Sequence, residues 1–228
     1  MFTEFFYDKP RLFGIILLYM SDFHYYSKNK GSLFNLIKIF SLDDQKKIKK
    51  AVMLAEYYHK GQKRTELDYE NAGHAIHCVR MSKWLIENNC RDIDIICAAI
   101  LHDTLEDTKM TQAEIQKEFG SKILKYVLSV TRFRETSETE NQKKYNKSKH
   151  FDKLLNQDAS TLLIKTADIL DNMRSWQKIY DSNPTYFKFP RWLDEARGYY
   201  TRITDKVSGK YSSEVKKIAN EFMIKIKK

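Results

Sequence analysis

Ala98-Ala-Ile-Leu-His102-Asp103-Thr-Leu-Glu106-Asp107-Thr108 is the stretch on which the fold turns. Just upstream and within it, Ile95, Ile96, Ala98, Ala99, Ile100 and Leu101 are apolar nearly all round, the pattern of a buried helix. If that helix runs on through Thr108, Glu106 falls at i+4 from His102 and i+3 from Asp103, and Asp107 at i+4 from Asp103. One helix face would then carry an imidazole beside three carboxylates. Ionisable groups gathered at the end of a buried segment cost several kcal/mol unless they are paired, solvated or metal-bound. The stretch therefore reads as a site as well as a core element.

Working outward, helical patterns flank it on both sides. Ser41-Leu-Asp-Asp44 resembles a capping box with Asp in place of Glu and opens a helix at about 42–59, with Ile48, Ala51, Val52, Ala55 and Tyr58 as its stripe. The charged run from Gly61 to Gly73 is a loop, and a second helix over about 74–88 carries Ile76, Val79, Trp84, Leu85 and Ile86. The opening stretch occupies a helix at about 92–105. Thr111-Gln-Ala-Glu114 is a capping box, Gly120 stands where a C′ glycine should, and Ser121 caps the next helix. Arg132 to Lys149 has almost no aliphatic residues and is expected to be a mobile loop. Leu162, Leu163, Ile164, Ala167, Ile169, Leu170, Met173 and Trp176 place a core helix at about 159–180, with Asp168 in its apolar run. Two closing helices follow at about 190–207 and 211–226. With 7 Gly and 3 Pro in 228 residues, the expected fold is an all-α bundle. About eight to ten helices account for the periodic segments. Residues 1–40 are read as an N-terminal extension and 41–228 as one domain.

The composition narrows the classes of function. A net charge of +10 suits nucleic acid, an anionic membrane or a phosphorylated small molecule. The 40 Lys and Arg are spread along the whole chain with no RNA-binding motif or basic-aromatic repeat, which argues against nucleic acid. Leu12 to Met20 is apolar for nine residues, about half of what a bilayer-spanning helix needs. It lacks the flanks of a signal peptide, and a translation start at Met20 is a further expectation. Cys78, Cys90 and Cys97 show no C-x-x-C spacing and are expected to be reduced, in a cytoplasmic protein.

The chemistry follows from donor types. The cysteines do not supply a structural zinc site. His102 and Asp103, with His74, Asp168 and His77 as candidates for the rest, form a mixed imidazole and carboxylate set suited to Mn²⁺ or Fe²⁺. Glu106 or Asp107 could then orient or deprotonate the attacking water. Lys165, Asp168 and Asn172 share one helical stripe. The competing reading of these groups is a salt-bridge cluster at a helix end.

Four blocks resemble the HD-domain hydrolases of the RelA/SpoT homologue group, which remove the 3′-pyrophosphate from guanosine tetra- and pentaphosphate. His59-Lys-Gly61-Gln62-Lys-Arg64 is similar to the family's H-x-G-Q-x-R, and Asn71-Ala-Gly-His74 stands, loosely, where the family has Y-x-x-H. Ala98 through Thr108 is nearly identical to A-A-L-L-H-D-T-V-E-D-T. Leu163-Ile-Lys165-Thr-Ala-Asp168-Ile-Leu-Asp-Asn172-Met-Arg174 resembles L-I-K-L-A-D-R-L-x-N-M-R. The blocks keep the family's order and cover about residues 45–180.

The resemblance implies an HD-type helical bundle holding Mn²⁺ on His74, His102, Asp103 and Asp168. It implies Glu106 and Asp107 as the acidic pair that prepares water. Arg64, Asn172 and Lys165 are implied to contact a nucleotide. The chain resembles the stand-alone small alarmone hydrolases, with a nucleotide as its small-molecule partner and no nucleic acid or membrane. Departures fall on the nucleotide side: the loop before His74 lacks the family's Ser-Gly-x-Pro run, Ala75 replaces a proline, and Ile169 replaces an arginine. His77, three residues after His74, could exchange with it as a ligand. Related substrates, an adenosine alarmone or the 2′-phosphate of NADPH, are the alternative within the same chemistry. A non-catalytic nucleotide-binding module is the alternative outside it.

Overall fold

The computed structural model describes residues 25–64, 73–133 and 138–226, and among these it contains helices and turns without a strand. The all-α expectation holds. A first helix, α1 (25–36), runs through a short 3₁₀ turn at Ile37–Ile39 into α2 (Leu42–Tyr58). Then come α3 (Ala75–Glu87), α4 (Ile93–Leu101), α5 (Thr104–Asp107), α6 (Gln112–Phe119) and α7 (Ser121–Val130). The chain finishes with α8 (Glu140–Leu154), α9 (Ala159–Ser182), α10 (Phe189–Glu195), a π-turn (Ala196–Tyr200), α11 (Thr201–Asp205) and α12 (Gly209–Ile226).

The opening stretch lies at the centre. Ile96 through Leu101 are completely buried, because α4 is apolar on every face and packs against α2, α3, α7 and α9. Asp92 caps it, its carboxylate accepting from the amides of Asp94 and Ile95. The helix does not continue through Thr108 as the spacing suggested. It stops at Leu101, turns through His102 and Asp103, and restarts as α5. Side chains compete there with the helical ladder. The Thr104 hydroxyl donates to the Leu101 carbonyl at 2.6 Å and the His102 ring to the Ala99 carbonyl at 3.0 Å. Asp103 (φ −92°, ψ −6°) then offers its own carbonyl to the amides of Glu106 and Asp107.

Residues expected to be a loop form α8 instead. Thr139 and Gln142 make a reciprocal capping box, and only Phe151 and Leu154 are buried. A helix polar nearly all round shows no apolar period, so its cap was the readable signal. It docks through Phe151 stacked on Tyr199 at 4.6 Å, through Ser148 hydrogen-bonded to Tyr199 at 2.7 Å, and through Lys147 paired with Glu195 at 2.5 Å. Ser121 is not the cap of α7. Gly120 takes that position at φ +90°, a backbone conformation suited to glycine, and no side chain caps the helix. The Thr111–Glu114 capping box is present as expected.

Within residues 25–40, Leu33 and Ile37 are fully buried in the same core. Tyr26 and Lys30 both reach Glu56 of α2, at 2.5 and 2.6 Å. The apolar run 12–20 and most of the Gly61–Gly73 loop lie outside the described residues. The three cysteines are free and buried, and burial pushes the Cys97 thiol up to about 12. Among the described residues, no helix is long and apolar enough to cross a membrane.

Candidate active site

Three packed helices, α3, α4 and α9, bring the chemistry together. His77, on the first turn of α3, is fully buried and faces α9. Its Nδ1 lies 2.7 Å from Asp171 Oδ2 and its Nε2 lies 3.1 Å from Asp168 Oδ1. Asp171 is clamped by Arg80, one turn further along α3, through Nε and Nη2 at 2.8 Å each. A carboxylate so charged accepts a hydrogen bond from Nδ1–H, which leaves the Nε2 lone pair of His77 pointing at Asp168.

His102 is arranged in the same way. Its Nδ1–H donates to the Ala99 carbonyl, so Nε2 also carries a lone pair. That atom is buried without a hydrogen-bond partner, 3.0 Å from Asp103 Oδ1 and 3.9 Å from Asp168 Oδ1. Lone pairs and anionic oxygens facing one another in a buried space repel unless a cation lies between them. Ligand atoms of His77, His102 and Asp168 fall within 4.8 Å of one another, and all three residues are buried. An imidazole and carboxylate donor set with an orphaned imidazole nitrogen therefore fits a divalent ion.

The field around these groups is intense. Burial opposes the charge of Asp168, yet Lys165 at 2.6 Å holds its carboxyl far below the ordinary carboxylate range. The Asn172 amide adds a further bond to Asp168 Oδ1 at 2.5 Å.

His74 lies on the other side of Asp103. As the residue before α3 it reaches Asp103 Oδ2 through Nε2 at 2.8 Å, and it shares a second group of ligand atoms with Asp103 and Asp107. His59 stacks on it at 4.5 Å between ring centroids. The resemblance implies His74 as the partner of Asp168, but it is His77 that the structure brings to Asp168. Both histidines fit one helix face, and only the packing of α3 on α9 separates them.

The acidic pair divides as well. Glu106 accepts the Arg132 backbone N–H at 3.0 Å, with the Arg132 Nε at 3.8 Å. The Asp107 carbonyl accepts the Gln62 side-chain amide at 2.5 Å, and Gln62 in turn accepts from His59 Nδ1 at 2.7 Å. The His59–Gln62 segment thereby ties the end of α2 to α5.

Of the residues expected to touch a nucleotide, Arg64 and Asn172 meet, Nη2 to Oδ1 at 2.7 Å. Both line a cleft of about 290 Å³ beside His74, together with Lys63, Lys147, Trp176 and Trp192. The two tryptophan rings are stacked at 5.8 Å. Lys165 does not line this cleft; it is buried against Asp168. Sequence reasoning passed over Asp171, Arg80, Arg132, Lys147 and Trp192. For the first two a signal existed: His77 and Arg80, like Asp168 and Asp171, are one helical turn apart.

The chain is 33% identical over 133 residues to the guanosine-3′,5′-bis(diphosphate) 3′-pyrophosphohydrolase of Borreliella burgdorferi, covering 57% of this chain and 19% of that protein. It is 30% identical over 149 residues to the bifunctional (p)ppGpp synthase/hydrolase SpoT of Escherichia coli K12, covering 63% and 20%. The chain thus spans about a fifth of the length of these relatives. Among solved structures, a metazoan ortholog of SpoT that hydrolyzes ppGpp shares the fold with a TM-score of 0.54 at 23% identity, covering 74% of this chain and 93% of that one. Residues 51–187, which carry His59, His77, the His102-Asp103 pair and Asp168, match the HD domain model, and the chain belongs to the HD-domain family.

Proposed function

We propose that this chain is a metal-dependent hydrolase that removes the 3′-pyrophosphate from guanosine 3′,5′-bis(diphosphate) and its pentaphosphate homologue, leaving GDP or GTP and pyrophosphate. The observation that carries this reading is the buried meeting of His77, His102 and Asp168, with the His102 Nε2 lone pair unpartnered, beside a cleft of basic and aromatic side chains. His77, His102, Asp103 and Asp168 are the residues that would hold the ion, His77 taking the place expected of His74. Mn²⁺ suits two imidazoles and two carboxylates. When bound, it supplies Lewis acidity toward a phosphoryl oxygen and makes nearby water more acidic.

The chain's own residues do the rest. Asp171, held by Arg80, fixes the His77 tautomer, as the Ala99 carbonyl fixes that of His102. Asp107, beside Asp103, orients the attacking water and takes its proton, while Glu106 is kept in place by the Arg132 amide. The water oxygen bonds to the phosphorus attached to the ribose 3′-oxygen, the bond from that phosphorus to the 3′-oxygen breaks, and the 3′-oxygen leaves as a hydroxyl on taking a proton from solvent, freeing pyrophosphate. Lys63, Arg64 and Lys147 neutralise phosphate charge that develops along the cleft. Trp192 and Trp176 offer the base an aromatic face. The residues that read one base against another are those of the cleft.

The test is an Mn²⁺-dependent screen of ppGpp, pppGpp, ppApp and NADPH, read by product chromatography. Pyrophosphate released from ppGpp, and lost in Asp103→Ala, supports the reading. Orthophosphate from NADPH alone would move the substrate to the 2′-phosphate. Asp103→Ala cleaving ppGpp at the wild-type rate, with metal still bound, would overturn the site.

A further inference from the structure

We propose that a second cavity, walled by α1, α3 and α9, binds a diphosphate group and acts on His77 through Arg80; the binding stands without the hydrolase reading, and only its effect on turnover rests on it. The cavity holds about 270 Å³. Its walls follow from helical spacing. Arg80, Lys83 and Glu87 form one stripe of α3, and Asp171, Arg174 and Lys178 form one stripe of α9. Tyr25 and Asn29 of α1 close the third side. Ser175 lines both this cavity and the cleft that holds Arg64 and Asn172, so the two lie on either side of α9.

Charge decides what the cavity takes. Arg80 is matched by Asp171, and Arg174 by Glu214 at 2.6 Å. The two lysines meet neutral groups among the described residues. Lys83 Nζ donates to the Asn29 side-chain oxygen at 3.2 Å, and Lys178 Nζ lies 4.8 Å from the centre of the Tyr25 ring. Glu87, solvent-exposed, is the remaining carboxylate of the lining. Ammonium groups on facing helices repel one another, and a ligand with two anionic groups relieves that repulsion. A guanidinium beside them favours phosphoryl oxygens, which match its planar fork. Free pyrophosphate and a nucleoside diphosphate both carry this chemistry. Arg80 is the link to the other site. It clamps Asp171, which orients the His77 ring, and its Nη2 lies 3.4 Å from Ser175 Oγ. A diphosphate that draws donors of Arg80 away from Asp171 loosens that ring, so turnover falls without the ligand entering the cleft.

The experiment titrates pyrophosphate and, separately, GDP into the metal-free full chain, followed by calorimetry, with each variant checked for native circular dichroism. Arg64→Gln/Lys147→Gln, which weakens the cleft, is expected to keep the binding. Lys83→Gln/Lys178→Gln is expected to weaken it at least tenfold, and Lys83→Arg/Lys178→Arg to retain it. Tighter binding of pyrophosphate assigns the free anion, and tighter binding of GDP the nucleoside diphosphate. Equal binding by wild type and Lys83→Gln/Lys178→Gln, or none by either, would overturn the site. In steady-state hydrolysis of ppGpp with Mn²⁺ in excess, pyrophosphate should lower kcat of the wild type about fivefold or more with KM little changed. Lys83→Gln/Lys178→Gln should keep the basal kcat and lose that effect. Purely competitive inhibition of the wild type would overturn the coupling. A chain that binds pyrophosphate through Lys83 and Lys178 yet leaves ppGpp intact would sink the hydrolase reading alone, so the two failures are distinct.

Discussion

Asp171 acts on the site through His77. Its carboxylate is buried, and burial works against its charge, but the His77 ring and the Arg80 guanidinium hold it ionised, far below the ordinary carboxylate range. The charge fixes which nitrogen of His77 bears the proton, and partners of this kind are typically worth about 10–100-fold in metal affinity. Asp171→Asn should therefore weaken Mn²⁺ binding by about that factor, read by calorimetry, with the cleft unaltered. Unchanged affinity would remove Asp171 from the account. At this scale the sequence singled out His102, Asp103 and Asp168, and the fold brings these three side chains together. It was ambiguous between His74 and His77, because a three-residue spacing places both on one helical face. Which of them meets Asp168 is decided by how α3 lies on α9. Lys165 reads as a cation available to a substrate until the fold buries it against Asp168.

Side-chain caps open α2, α4, α6, α8 and α9, whereas α3 and α7 start without one and rest on their apolar faces. α4 ends where the His102 and Thr104 side chains compete for the helical ladder, and the Asp103 carbonyl then starts α5. A helix periodicity cannot show such a break, since Leu101 to Asp107 continues the helical spacing on paper. α8 was hidden for the opposite reason: its cap is sound and its stripe nearly absent. Thr139→Ala removes the hydroxyl half of that capping box and should cost about 1 kcal/mol, measurable by urea denaturation. His150 near the end of α8 gives a pH test. Burial first, then Lys165, Arg132 and Lys153, push its pKa down from the ordinary histidine value to about 3. The unfolded chain then binds the proton more readily. Stability from this group is complete above about 6.5 and is lost progressively as pH falls towards about 3. The melting temperature of His150→Gln should fall less between neutral and mildly acidic pH than that of wild type. Equal falls would show that His150 is solvated.

For the whole molecule, α4 is the hub: it packs against α2, α3, α7 and α9, and its end delivers His102 and Asp103 to where α3 and α9 bring His77 and Asp168. That centre was readable because eleven contiguous residues carry both the core and the site. The cleft was not, because Lys63, Lys147 and Trp192 come from three distant segments joined only by packing. α1 belongs to the same body through Leu33 and Ile37. Leu33→Ala should cost about 2–5 kcal/mol in a single cooperative unfolding transition. A separate early transition would show that α1 folds apart from the rest. The central claim is that the His77, His102, Asp103 and Asp168 cluster makes this chain a ppGpp hydrolase. The most direct measurement is product analysis of ppGpp with Mn²⁺-loaded wild type and His77→Ala. The account predicts GDP and pyrophosphate from the wild type and a loss of several hundredfold or more in the variant. A variant that cleaves ppGpp as fast as wild type, or a metal-loaded wild type that leaves ppGpp intact, would contradict it.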